Sequence, residues 1–426
     1  MKNTIRKGLL QFIFTGTYMK RWNDKLRPME LIEIDKQAHK MIVAWMLCQL
    51  SGKDMTPMDR LALEEEVVEK GIFDYMFRLV ITDIKPAIFN RIKENHEHYQ
   101  ELAKWGIKEI EPHLRSFNDD LFQRFSRHIL SKHHTGLATD ILTVAHIYST
   151  IWEFRLFRHM NATFDSELPE IDKRLGELER YKHIPGVCEL LDGLLHNADK
   201  DPTSSPSAFA NVANFCGQLR FQKRWSQTPR IPETSVMGHM FLVACYSFFI
   251  TTALGACRAR CVNGFFCGLF HDLPELLTRD IISPVKKSFA ELGMIIKQYE
   301  DDELEQHIFA PLEAEGLFCI TERLRYYLGI AVGSEFKETI RDEEGRPVAI
   351  SFDQLQGEYN NDDYDPKDGK AIKICDILAA YIEAYTAIRN GITSDQIQQA
   401  FWRIREEYAK ETLGNILLGA LFTDFD

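Results

Sequence analysis

Apolar residues along most of this chain recur every three or four positions, which lines them up on one face of a helix. That spacing predicts helices over Glu30 to Leu50, Leu61 to Lys93, Thr139 to Arg158 and Glu167 to Tyr181. It predicts four more over Met240 to Ala256, Val262 to Leu277, Phe289 to Glu300 and Ile372 to Arg389. Pro86 ends or kinks the second helix, because its ring clashes with the preceding turn and donates no hydrogen bond. Leu9 to Phe14, behind Lys2, Arg6 and Lys7, reads as a first amphipathic helix. The run is short for a signal peptide and no small-residue cleavage site follows it. Alternation of period two is nearly absent, with Val348-Ala349-Ile350 the one short extended candidate. The expected fold class is all-α.

Met240 to Cys257 carries no charged residue over 18 positions, which reaches the length of a membrane span. Ser247, Thr251, Thr252 and Gly255 within it, and His239 beside it, point instead to a helix buried in a core. Two stretches interrupt the helical pattern. Asn197 to Ala208 (NADKDPTSSPSA) cannot bury a face and reads as a linker. Arg341 to Lys370 is rich in Asp and Glu and reads as an inserted acidic loop, solvated or folded over a site as a lid.

The two halves echo each other. Lys20-Arg21-Trp22 recurs as Lys223-Arg224-Trp225, each ahead of a histidine, His39 and His239. Asp140-Ile141-Leu142 recurs as Asp376-Ile377-Leu378, and Thr82 to Pro86 parallels Asp280 to Pro284. Such long-period similarity indicates duplication of a domain. Where His271-Asp272 would recur, the first half reads Phe73-Asp74, and no His lies between His39 and His96. The first copy is therefore expected to be degenerate, keeping at most His39 and Asp140 of a metal set, with Asp74 a third candidate and a structural or regulatory role.

Length supports the same division, since 426 residues exceed one comfortable core. An apolar share of 45% and a charged share of 27% describe an ordinary soluble protein. The formal net charge of −12 argues against duplex nucleic acid as the main ligand. It leaves room for a small phosphorylated substrate in one local basic pocket. Nine cysteines without a CxxC pair suit the reduced thiols of a cytoplasmic protein. Frequency alone favours a homodimer as the assembly.

The candidate chemistry lies in the second half. His239, His271, Asp272 and Asp376 are ligand types set against apolar stretches, and burying them is costly unless a cation neutralises them. On a helix, His271 and Glu275 would share a face, with Asp272 also beside Glu275. One element would then carry an imidazole, a ligating carboxylate and a second carboxylate for proton transfer, the equipment of metal-assisted hydrolysis. Two imidazoles and two carboxylates suit Mn, Fe, Co, Ni or Zn better than Ca, with Mg also admissible. Arg224 offers a bidentate fork for phosphate. Lys286 and Lys287 read as a solvated pair.

The stretches KRWSQTPRIPETSVMGH, GLFHDLPELLTRDIISPVK and KICDILAAY resemble the HD-domain superfamily of metal-dependent phosphohydrolases, and among them the bacterial HD-domain 5′-deoxynucleotidases. The resemblance implies two tandem HD-type helical domains, a degenerate one over 1–200 and a phosphohydrolase domain over 205–426 with the acidic insertion at about 341–370. It implies one divalent ion on His239, His271, Asp272 and Asp376, with Glu275 handling the proton of the attacking water. Arg224 would bind the substrate phosphate, Trp225 would pack near the sugar and exclude a 2′-hydroxyl, and Asp280 would hold the sugar or the water. Only His307 follows His271 among the histidines, in an acidic surface-type segment, so a mononuclear site acting on a nucleotide 5′-monophosphate is expected. The alternatives are a deoxynucleoside triphosphate triphosphohydrolase and a nucleotide-binding regulator without turnover.

Overall fold

Two long apolar helices, one from each half, pack against each other at the centre of the molecule. The computed structural model describes residues 4–131, 134–161, 168–196, 205–278 and 290–426. The first half runs through α1 (Lys7–Phe14), α2 (Glu33–Ser51), α3 (Pro57–Ile81), α4 (Pro86–Glu94), α5 (His96–Leu114), α6 (Asp119–Leu130), α7 (Leu137–Asn161), α8 (Leu168–Leu178) and α9 (Val187–Leu195). The second runs through α10 (Ala208–Cys216), α11 (Val236–Ala253), α12 (Arg258–Phe270), α13 (Glu275–Thr278), α14 (Ala290–Leu304), α15 (Ala310–Ala314) and α16 (Phe318–Tyr327). It closes with α17 (Phe352–Gln356), α18 (Gly369–Arg389), α19 (Asp395–Glu407) and α20 (Leu418–Thr423). The strands described are short antiparallel pairs, so the fold is all-α.

The central pair is α2 and α11. Helix α11 packs on α12 and α18, and α2 packs on α7 and α3. Most of the uncharged run lies in α11, a helix long and apolar enough to cross a membrane, yet 94% of that helix is buried inside the protein. Ser235 starts it, its hydroxyl accepting the Gly238 N–H at 2.9 Å. Buried rings join the halves: Tyr75 meets Phe241, and Trp45 meets Phe266 and Phe270. One continuous buried apolar cluster includes residues of both halves.

The repeat is present in the backbone, in a different register from the one the histidines suggest. The strand β1 (Lys20–Arg21) pairs with β2 (Leu31–Ile32), Lys20 facing Ile32, and Lys223 faces Ser235 in the same way. The Glu33 N–H donates to the Met19 carbonyl as the Val236 N–H donates to Gln222. Trp22 and Trp225 both take a left-handed conformation, with φ of 57° and 56°. Carried along the two helices, this register sets Lys36, not His39, at the place of His239. His39 lies nearly a turn further on, its Nε2 on the Ala213 carbonyl at 2.8 Å and its Nδ1 accepting from Arg220 at 3.0 Å. A shared residue type had aligned His39 with His239, whereas backbone pairing aligns Lys36.

Other boundaries moved for local reasons. The expected helix over 61–93 divides at Thr82, where φ is 55°, and restarts with Pro86 in its first turn, where a missing N–H costs nothing. The helix expected over Val262 to Leu277 stops at Phe270, so His271 caps α12 and Asp272 lies in the turn before α13. The acidic stretch is held to the domain at a few points, while Glu343, Glu344, Asp353 and Asp363 are exposed. Thr339–Arg341 pairs with Pro347–Ala349, Asp368 is fully buried against Arg260, and Asp365 binds Arg323 and Asn263. Asp362, Asp365 and Asp368 thus anchor it to α12 and α16. Of the expected linker, residues 197–204 lie outside the described residues, and Ser207 caps α10.

Candidate metal centre and active site

Close approach of two helices places the first imidazoles. A Cβ at Gly268 would lie 2.8 Å from the Ala244 backbone, so α12 can meet α11 this tightly only through glycine. Three residues later, His271 Nδ1 donates to the Gly268 carbonyl at 2.8 Å. This fixes the tautomer and leaves the lone pair on Nε2. That nitrogen is buried, has no well-formed hydrogen bond, and lies 3.2 Å from Asp272 Oδ2. The His239 and His271 ring centroids are 5.4 Å apart.

Asp376 arrives from α18. Its Oδ1 is 3.1 Å from His239 Nε2, and Asp272 Oδ2 is 3.7 Å from the same nitrogen. Ligand atoms of His239, His271 and Asp376 all fall within 4.8 Å of one another, and Asp272 lies beside them. Two neutral imidazoles and two carboxylates balance a divalent charge, and a buried imidazole lone pair aimed at carboxylates fits a metal ion. Electrostatics separate the two histidines. Burial and the Arg224 guanidinium lower the His239 pKa. Burial also opposes charge on His271, but the neighbouring Asp272 outweighs it and lifts that pKa to about 9. Asp272 and Asp376 are held below the usual carboxylate range, against burial, by His271 in the first case and by His239 and Lys373 in the second.

Beneath the ligands lies Glu383, fully buried and two turns after Asp376 on α18. Its Oε1 accepts from Thr234 at 2.6 Å and is 3.9 Å from His239 Nδ1; its Oε2 accepts from the Trp225 indole at 2.8 Å. Burial alone would raise its pKa, yet Arg230 and Arg224 hold it at about 2. A carboxylate behind a ligating imidazole orients the ring and raises its basicity. Glu383 was missed from the sequence. Its signal is the seven-residue interval from Asp376, which keeps both on one helix face.

Arg224 reaches the site from outside, Nη1 at 3.4 Å from Asp272 Oδ2 and Nε at 3.6 Å from Glu383 Oε2. Lys373, also missed, bonds Asp376 Oδ2 at 2.9 Å and is half exposed. Glu275 begins α13, buried, and its charge acts on Arg224. His307 pairs with Glu303 at the surface, away from the ligand cluster. Asp280, Lys286 and Lys287 lie outside the described residues.

Residues 216–405 match the family model described as HD domain. This part of the chain is therefore similar to HD domains, which in general are metal-dependent phosphohydrolases. No curated protein and no solved structure matches the chain.

Proposed function

We propose that the C-terminal half hydrolyses phosphate monoesters, with nucleoside and deoxynucleoside 5′-monophosphates as its substrate class. The observation that supports this most is the meeting of His239, His271, Asp272 and Asp376 from three separate segments, with Arg224 at their edge. These four side chains would hold a divalent ion, which would lower the pKa of a water and offset charge on a phosphoryl oxygen. Arg224 binds the phosphate, exchanging its long bond to Asp272 for a bidentate pair. Lys373, half exposed, adds positive potential on the other flank. Glu275 accepts the proton released by the attacking water and passes it to the departing oxygen. The Trp225 indole N–H is held by Glu383, which presents the ring in one plane against which a sugar can pack. Trp22 makes the same bond in the half that lacks the ligand set, so the bond itself belongs to the fold rather than to the chemistry.

Turnover of nucleoside mono-, di- and triphosphates with Mn or Co decides the reading. Free phosphate released from 5′-monophosphates is the expected result. Release of triphosphate, or no turnover of any of them, overturns it. Glu275→Gln is expected to lose about 10²- to 10⁴-fold in kcat while keeping one metal per chain by elemental analysis. Unchanged activity would remove Glu275 from the mechanism.

A further inference from the structure

In the first half, the place of His239 belongs to Lys36, and the shared position of Glu153 and Glu383 behind each tryptophan puts His146 at the place of Asp376. These two substitutes meet: Lys36 Nζ lies 2.5 Å from His146 Nδ1. Lys36 is fully buried, whereas His146 is exposed, so the imidazole stands between the buried amine and water. Among the described residues no carboxylate pairs with Lys36. The nearest acids are taken, Glu33 by Arg21, Arg78 and Gln37, and Glu153 by Arg21, Arg220 and the Trp22 indole.

More cations surround the same point. Lys40, one turn along α2 and nearly buried, is 3.4 Å from Asp74 Oδ2. Asp74 stands at the place of Asp272 and also pairs with His128 Nε2 at 2.8 Å. His128 stacks on His134 with centroids 4.3 Å apart. Asp74 is thus already neutralised by two partners. Arg174 is near enough to depress the His146 pKa, and Lys70 and Lys93 act on His134. A buried ammonium without a counter-ion is unfavourable, and desolvation lowers the Lys36 pKa strongly. An arriving anion would reverse that.

We propose that this basic cluster binds a phosphate dianion at His146, either free phosphate or the phosphate end of a nucleotide, with Lys36 behind the imidazole supplying the positive charge that a metal ion would supply in the second half. His146 is its contact at the surface, Lys36 and Lys40 stand behind that imidazole, and the first half is an anion-binding unit. Replacing a neutral metal ligand by an ammonium also bars a divalent cation from the same place, since two like charges would share a desolvated point.

Calorimetric titration of the full chain separates this site from the catalytic one. Inorganic phosphate and a nucleoside 5′-monophosphate are titrated into the metal-loaded protein and into His271→Ala, whose second-half metal set is broken. One phosphate per chain is expected to bind in His271→Ala, at least tenfold more weakly when Lys36→Met is added. Should Lys36→Met fail to fold, His146→Gln, altered at an exposed side chain, is expected to weaken binding in the same background. Tighter binding of the monophosphate than of phosphate assigns the ligand to a phosphomonoester, and equal binding assigns it to free phosphate. Absence of phosphate binding in His271→Ala, or binding unaffected by both first-half changes, overturns the proposal. The measurement does not depend on turnover, so it stands apart from the hydrolase reading.

Discussion

Trp22 and Trp225 adopt the same left-handed backbone and donate their indole N–H groups to equivalent buried carboxylates, Glu153 at 2.9 Å and Glu383 at 2.8 Å. A bulky residue at positive φ is strained, so two such residues with equivalent partners mark one local arrangement used in both halves. In the first half, Glu153 also binds Arg220 and Arg21. In the second, Glu383 faces His239 and is flanked by Arg230 and Arg224. The same carboxylate stabilises a core in one half and stands behind the candidate ligand His239 in the other.

Glu383→Gln should therefore act on the metal. The amide removes the negative charge behind His239 and leaves Arg224 and Arg230 less compensated. Metal affinity is expected to fall about 10- to 100-fold, as for other groups that orient a ligand from behind. Titration of metal-free protein, followed by elemental analysis, measures it.

Glu153→Gln should act on stability instead. Arg220 is fully buried and Glu153 is its carboxylate partner at 2.8 Å, so the change leaves a buried cation without its counter-charge. A loss of about 3–5 kcal/mol is expected, because breaking one side of a buried pair leaves the other uncompensated. The midpoint of urea unfolding reports it, and metal content of the folded protein should stay unchanged.

Gly268→Ala tests how His271 is placed. The added Cβ would fall 2.8 Å from Ala244 backbone atoms, too close for either helix to absorb without moving. About 1–3 kcal/mol of stability should be lost through overpacking, and the imidazole should shift with α12. A displacement of about 1 Å can cost roughly 10²-fold in rate. Activity should fall further than the folded fraction does, and comparison of kcat with circular dichroism checks this.

Asp35 carries a pH dependence across the join between halves. It is buried, and its Oδ1 accepts from the Ser235 hydroxyl at 2.5 Å. Burial raises its pKa to about 6, with the Ser235 bond opposing the rise. A carboxyl whose folded pKa exceeds its unfolded value binds its proton more tightly when folded. The stabilisation from that proton is complete below the unfolded value and disappears as pH rises through the folded one. Wild-type stability should thus fall between about pH 4 and pH 6 relative to Asp35→Asn, which does not titrate. The difference should reach about 3 kcal/mol above pH 7. Urea unfolding of both proteins at pH 4.5 and 7.5 measures it, and an equal gap at the two pH values would remove Asp35 as the cause.

Legibility in the sequence followed the range of the interaction. Helical periodicity located the main elements, because which residues face a core is written every three or four positions. Candidate ligand residues on α11, at the end of α12 and on α18 could be named because their side-chain types are costly to bury without a cation. Helix ends were less legible. His271 lies past the last turn of α12, and apolar periodicity continues through that turn without marking the break.

The amino-acid sequence by itself determined an all-α protein, the likeness between its halves and a set of candidate metal ligands in the second half. Periodicity and residue chemistry are local properties, and each position carries them alone. Only the tertiary structure decided that Lys36 corresponds to His239, that Glu383 stands behind that histidine, and that the acidic stretch is anchored by buried pairs. Those relations depend on strand register, on a left-handed tryptophan and on helices meeting at Gly268. They join residues far apart in the chain, so they exist only once the backbone has closed around them.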